Sequence, residues 1–188
     1  MMKLTALKID PEFQGKIPPL TSEELDQLEK NIVSDGKVIN PIIVWNGLII
    51  DGHNRYAILQ KHPDIPYTVH EKEFADRYEA IVWICKNQLG RRNLTVEQKN
   101  YLIGKQYEAE KQSDFNRGNQ YTSSKKSGCY QNGNSQKASR TCERIASENG
   151  IARNTVIRAE KFAKGVDAAE EAPQMSAAES CPETQGQS

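Results

Sequence analysis

"NPIIVWNGLIIDGHNRYAIL", residues 40–59, decides how the N-terminal half is read. Ile42 to Trp45 and Leu48 to Ile50 are apolar runs parted by Asn46-Gly47, the pair favoured where a two-residue turn needs positive φ, so a β-hairpin is predicted. The second run ends in Asp51-Gly52-His53-Asn54-Arg55, and "RYAILQKH" continues as a short helix. A helix start leaves backbone N–H groups without partners, and glycine lets another group approach the main chain closely. Arg55, in the first turn, adds a charged fork suited to a phosphate or a carboxylate. Two readings fit this spacing: a phosphate cradle, or a helix capped by Asp51 whose Arg55 pairs with an acid.

The pattern extends outward from the hairpin. Upstream, "MKLTALKIDPEF" alternates like a strand with one buried face, and Pro18-Pro19 breaks the chain. Thr21 and Glu24 have the spacing of a capping box, Leu25, Leu28 and Ile32 follow at helical intervals, and Gly36 is a suitable stop. Downstream, "IPYTVHEKE" is a candidate strand, and "ADRYEAIVWICKNQLG" is a helix with Ala80, Ile81, Ile84 and Cys85 on one side. Thr95 and Gln98 fit a second capping box, opening another helix. Arg91 and Arg92 lie in the loop between these helices, after Asn87-Gln88, where they either complete the anion pocket or form a solvated surface pair. Trp45 and Trp83, inside apolar runs, read as core.

Composition bounds the function classes. Of 188 residues, 37% are hydrophobic and 27% charged, with zero formal net charge. No apolar run approaches the ~18–20 residues of a spanning helix, and the first residues lack the apolar core of a secretory signal, so no membrane partner is expected. Four cysteines stand far apart without a C-x-x-C pair, and the three histidines form no metal motif, so a reducing cytoplasm is expected and any metal ligand is unknown. The neutral total hides an asymmetry. Residues 111–165 hold eleven Lys/Arg against four Asp/Glu, whereas residues 166–188 hold five acids and no base. Residues 111–139, rich in Ser, Asn, Gly and Gln, are expected to be a flexible linker, and the acidic tail 166–188 to be disordered.

The segment "TCERIASENGIARNTVIRAEKFAKG" has the spacing of a helix-turn-helix, with helices expected over 141–148 and 153–163. Ala146 is the small residue where the second helix crosses, Gly150 makes the turn, and Ile145, Ile151 and Val156 seat the helices. The second helix then offers Arg153, Asn154, Thr155, Arg158 and Lys161 for base edges and phosphates, with Lys164 extending the basic face. A helical hairpin with a solvated charged face shares this spacing, and the third helix that would close its core is not evident.

The order "IPPLTSEELDQLEKNIVSDGKVINPIIVWNGLIIDGHNRYAIL", then "NQLGRRNLTVEQ", then a helix-turn-helix, resembles the ParB/sulfiredoxin superfamily, specifically the ParB N-terminal domain, over about residues 3–162. The resemblance implies an α+β fold: a small mixed ParB/sulfiredoxin-like α/β domain (1–110), the linker (111–139), an all-α helix-turn-helix segment (140–165) and the tail. It implies a site for a nucleoside triphosphate, CTP with magnesium in ParB proper, at Gly52, His53, Asn54, Arg55, Arg91 and Arg92, with Gln88 where the family has a metal-proximal Asn. The chain departs from the family's Gly-Glu-Arg-Arg by carrying Gly52-His53-Asn54-Arg55, and from its Glu-Asn by carrying Asn87-Gln88. Sulfiredoxins place a catalytic cysteine after the glycine, where His53 stands here, so their repair chemistry has no nucleophile. The implied function is a ParB-type protein that binds double-stranded DNA, as a partition or transcription-regulating factor of a plasmid, phage or mobile element, with a homodimer allowed. The alternative is an enzyme that hydrolyses a nucleotide or cleaves nucleic acid through an Arg55, Arg91 and Arg92 pocket.

Overall fold

The computed structural model describes residues 7–91, 93–119 and 132–171, without the side chains of 114–119, 132–139 and 171. Among the described residues ten elements follow in chain order: α1 (Pro11–Gly15), α2 (Ser22–Asp35), β1 (Ile42–Trp45), β2 (Leu48–Asp51), α3 (His53–Lys61), β3 (Val69–Glu71), α4 (Arg77–Leu89), α5 (Val96–Asn119), α6 (Asn132–Glu148) and α7 (Arg153–Glu171). The fold is α+β, a three-stranded sheet of order β2-β1-β3 wrapped by helices.

The hairpin forms as its turn residues dictate, with Asn46 at φ 50° and Gly47 at φ 77°. β3 adds in parallel on the far side of β1. The opening segment contributes one parallel bridge, Lys8 beside Leu48; residues 1–6 of the expected strand lie outside the described residues. Both capping boxes close: the Thr21 hydroxyl accepts from the Glu24 N–H while the Glu24 carboxylate accepts from the Thr21 N–H. Thr95 and Gln98 repeat the exchange. Sequence reading missed α1, a five-residue turn whose N-cap Asp10 accepts from the Glu12 and Phe13 N–H groups, with Pro11 in the first turn.

Two cores lie on opposite faces of the sheet. On one, Ile42, Val44 and Ile49 pack with Ile32 of α2 and Tyr56, Ile58 and Leu59 of α3. On the other, Phe13 and Ile50 pack with Ala80, Ile81, Ile84 and Cys85 of α4 and Leu102 and Ala109 of α5. β2 serves both faces because its register slips: Val44 faces Ile49, but Ile43 faces Asp51, leaving Ile50 as the extra residue of a bulge. Trp45 and Trp83 are half-buried against Phe74, in keeping with a core role.

A third core joins Ile103 and Tyr107 of α5 to Cys142, Ile145 and Ala146 of α6 and Val156 and Ala159 of α7. The missing third helix is therefore α5, which belongs to two cores at once. Gly104 is where α5 and α7 meet: a Cβ there would lie 2.2 Å from the Ala159 carbonyl oxygen.

The expected linker is shorter at both ends than its composition suggested. α5 runs on to Asn119 because Ala109 and Ser113 are buried, Ser113 donates to Asp76 at 3.1 Å, and Lys111 pairs with Glu160 at 3.0 Å. α6 begins at Asn132, and only 120–131 of the linker lies outside the described residues. The tail also starts later, because α7 continues to Glu171. Asp167 accepts from Tyr101 at 2.9 Å and from Lys105 at 2.8 Å, and 172–188 lie outside the described residues. Among the described residues no helix is long and apolar enough to cross a membrane.

Replacing Gly104 with alanine drives a methyl group into the α7 main chain. Gly104→Ala should lower unfolding free energy by about 1–3 kcal/mol in chemical denaturation. Gly165→Ala, a mid-helix glycine with open space around it, should be neutral or stabilise by up to ~1 kcal/mol.

Candidate nucleic-acid interface and anion cleft

The turn between α6 and α7 is a glycine-terminated helix end. Gly150 adopts φ +64°, the Ile151 N–H donates to the Ala146 carbonyl at 2.9 Å, and the Gly150 N–H donates to the Ser147 carbonyl at 3.3 Å. This paired 6→1 and 5→2 arrangement brings Ile151 back onto the core, as a hydrophobic Schellman end does. α7 then leaves with Val156, Ala159 and Ala163 inward.

Its outward residues follow from the helical period. Asn154, Arg158 and Lys161 are exposed at intervals of four and three, so they form one stripe. Arg153 is exposed at the helix start, and Thr155 is half-buried at the edge of that stripe. Arg153, Arg158 and Lys161 make no ion pair among the described residues. Neighbouring bases are engaged: Lys164 and Lys111 share Glu160, and Arg144 pairs with Glu110 and Glu148. Lys164, expected to extend the basic face, therefore contributes less charge than Lys161.

The second site is an open cleft of about 590 Å³ between the β2–α3 junction and the end of α4. It is lined by Asn40, Asp51, Arg55, Lys86, Asn87 and Arg91, with Trp83 in its wall. Gly52 precedes α3 at φ 100°, and a Cβ there would meet Arg55 Nη2 at 3.0 Å, so glycine serves both backbone and arginine. Asp51 does not cap α3, which lacks a side-chain cap. Its carboxylate instead takes both arginines: Arg55 donates to Oδ2 at 2.9 Å and Arg91 to Oδ1 at 3.1 Å. Arg55 also donates to the Pro41 carbonyl at 3.1 Å. The acid-pairing reading of Arg55 is thus realised, within the arginine cluster of the other reading.

Several expected cleft residues sit elsewhere. Gln88 is fully buried with both amide atoms lacking partners, and its neighbour Asn87 faces the cleft, a matter of helical phase that the pair's order did not reveal. His53 is buried with both ring nitrogens unpartnered, and Asn54 is half-buried; neither lines the cleft. Arg92 lies outside the described residues. Asp51 and Lys86 were missed; an acid four residues before Arg55 was the available signal. Lys86 also reaches Glu148 of α6 at 3.1 Å. Among the described residues no three His, Cys, Asp or Glu side chains converge as a metal site, and both Asp51 oxygens are held by arginines. A resident magnesium ion does not fit this donor set.

No family model matches the chain, and no curated protein matches it. Two solved structures of the pNOB8-like ParB N-domain do. One gives a TM-score of 0.61 at 20% identity, covering 84% of this chain and 66% of that one. The other gives 0.55 at 20%, covering 86% and 62%. The fold is therefore that of the ParB N-domain, and the chain spans under two thirds of the length of each solved chain.

Burial holds the His53 pKa below its usual 6.5, with Asp51 opposing and Arg55 adding to the shift. A depressed histidine pKa contributes stability that is complete above 6.5 and is lost as pH falls toward the folded-state value. Stability should drop when roughly pH 7 is lowered to pH 5, and His53→Leu should flatten that drop in denaturation series across pH.

Proposed function

We propose that this chain is a DNA-binding protein of ParB type, in which α7 enters the major groove of double-stranded DNA. The observation that carries this reading is the stripe of Asn154, Arg158 and Lys161, with Arg153 at its head, exposed and without an ion pair among the described residues while Lys111, Arg144 and Lys164 are engaged. The N-terminal part of a recognition helix reads base edges, and arginine and lysine neutralise phosphates. The first helix of the motif is α6, and α5 supplies the support that an isolated pair would lack. The fold shared with the pNOB8-like ParB N-domain supports a plasmid, phage or mobile-element setting, with partition or transcription control as the role. A homodimer on a symmetric operator, in the cytoplasm, is the expected working form.

The cleft is the second part of the proposal. Arg55, Arg91 and Lys86 suit the phosphates of a nucleotide, CTP by resemblance. Any divalent ion would arrive on those phosphates, because among the described residues the cleft has no carboxylate free of an arginine.

The test is a selection of bound duplexes from a random pool, followed by fluorescence anisotropy across a salt series. Arg153→Ala and Arg158→Ala should each weaken binding and reduce the salt slope by about one unit where the side chain touches only phosphate. Lys164→Ala should do less, because Glu160 already holds that charge. Unchanged binding in both arginine variants would contradict the docking of α7.

A further inference from the structure

We propose that Asp51 is an internal competitor: its carboxylate occupies the arginine forks of the cleft until a polyphosphate displaces it, and that binding needs no resident metal. The inference rests on the anion-cleft reading and adds a gate to it. Each Asp51 oxygen accepts from a different guanidinium, and the carboxylate is more buried than either arginine, 12% exposed against 19% for Arg55 and 42% for Arg91. The acid therefore sits beneath the two cations while their outer faces stay open to solvent.

Charge decides the competition. One carboxylate under two guanidiniums leaves a single positive charge, and Lys86, the third cation of the cleft, is paired with Glu148. A lone carboxylate is a weak rival for a ligand with three or more negative charges on adjacent phosphates. Once such a ligand has entered, however, Asp51 repels it. The carboxylate thus reduces affinity for every anion and restricts the cleft to highly charged ones. A metal-ligand role for Asp51 predicts the opposite, since removing a ligand would weaken binding. Its two oxygens are already committed, and among the described residues no second carboxylate lines the cleft.

The experiment uses the full chain and isothermal titration with two probes, inorganic tripolyphosphate and CTP, each in EDTA and in magnesium. Asp51→Asn keeps the shape and removes the charge; Asp51→Ala is the second variant, and circular dichroism checks that both fold. Binding in EDTA should tighten by about tenfold or more in both variants, a modest part of what two guanidiniums at contact distance can supply. Arg55→Ala should lose it. The tighter probe tells whether the ligand is a nucleotide or a bare polyphosphate, and the Asp51 effect applies to either. Wild-type binding with no gain in either variant, or binding that requires magnesium, would overturn the gate alone. Failure of both probes on wild type and variants would overturn the cleft reading together with it.

Discussion

The approach of Gly104 to the Ala159 carbonyl is the constraint on which this architecture depends. It lets α5 lie against α7 at backbone distance while Leu102 and Ala109 remain in the core beneath the sheet. Ile103 and Tyr107, on the other side of the same helix, complete the core of the α6–α7 pair. Polar contacts reinforce the seam. Lys16 donates to the Tyr101 hydroxyl at 3.0 Å, which donates to Asp167, and Lys105 secures the other oxygen of that acid. Burial, reinforced by Asp167, pushes the Tyr101 phenol up, so it stays a neutral donor. The sheet and the α6–α7 pair are thus parts of one packed body.

The two charged surfaces of this body differ in how their cations are held. On α7, Arg153, Arg158 and Lys161 are exposed and make no ion pair among the described residues, a geometry that a long anionic polymer could span. In the cleft each described cation already has an acid, Asp51 for Arg55 and Arg91 and Glu148 for Lys86. The first leaves its positive charge open to solvent, whereas in the second the charge is already offset in part by acids. The named cations alone, three on each surface, would have ranked them alike.

Much of the fold was legible because its signals are local. Asn46-Gly47 determines the hairpin, the Thr21–Glu24 and Thr95–Gln98 spacings determine two helix starts, and Gly150 determines the turn before α7. What escaped depends on distant partners. The polar stretch after residue 110 looked unable to fold, yet Ser113 finds Asp76 and Lys111 finds Glu160, contacts 37 and 49 residues apart in sequence. The role of Gly104 could not be read either, since nothing nearby shows that another backbone passes it. In the cleft, Arg55 and Arg91 were legible as candidates for one pocket, and the β2–α3 junction and the end of α4 do bring them to one carboxylate. That Asn87 rather than Gln88 faces it depends on a rotation of α4 set by the core beneath.

The bulge in β2 has a further consequence. Along a regular strand the residue after Ile50 would point to the face that α2 and α3 cover, amid Ile32, Val44 and Leu59. The one unpaired residue returns Asp51 to the side of Ile43, where arginines await it. Deleting the Ile50 codon would therefore straighten the strand with Asp51 still opposite Ile43 and its arginines. What would go is the side chain that β2 sends into the core beneath α4 and α5.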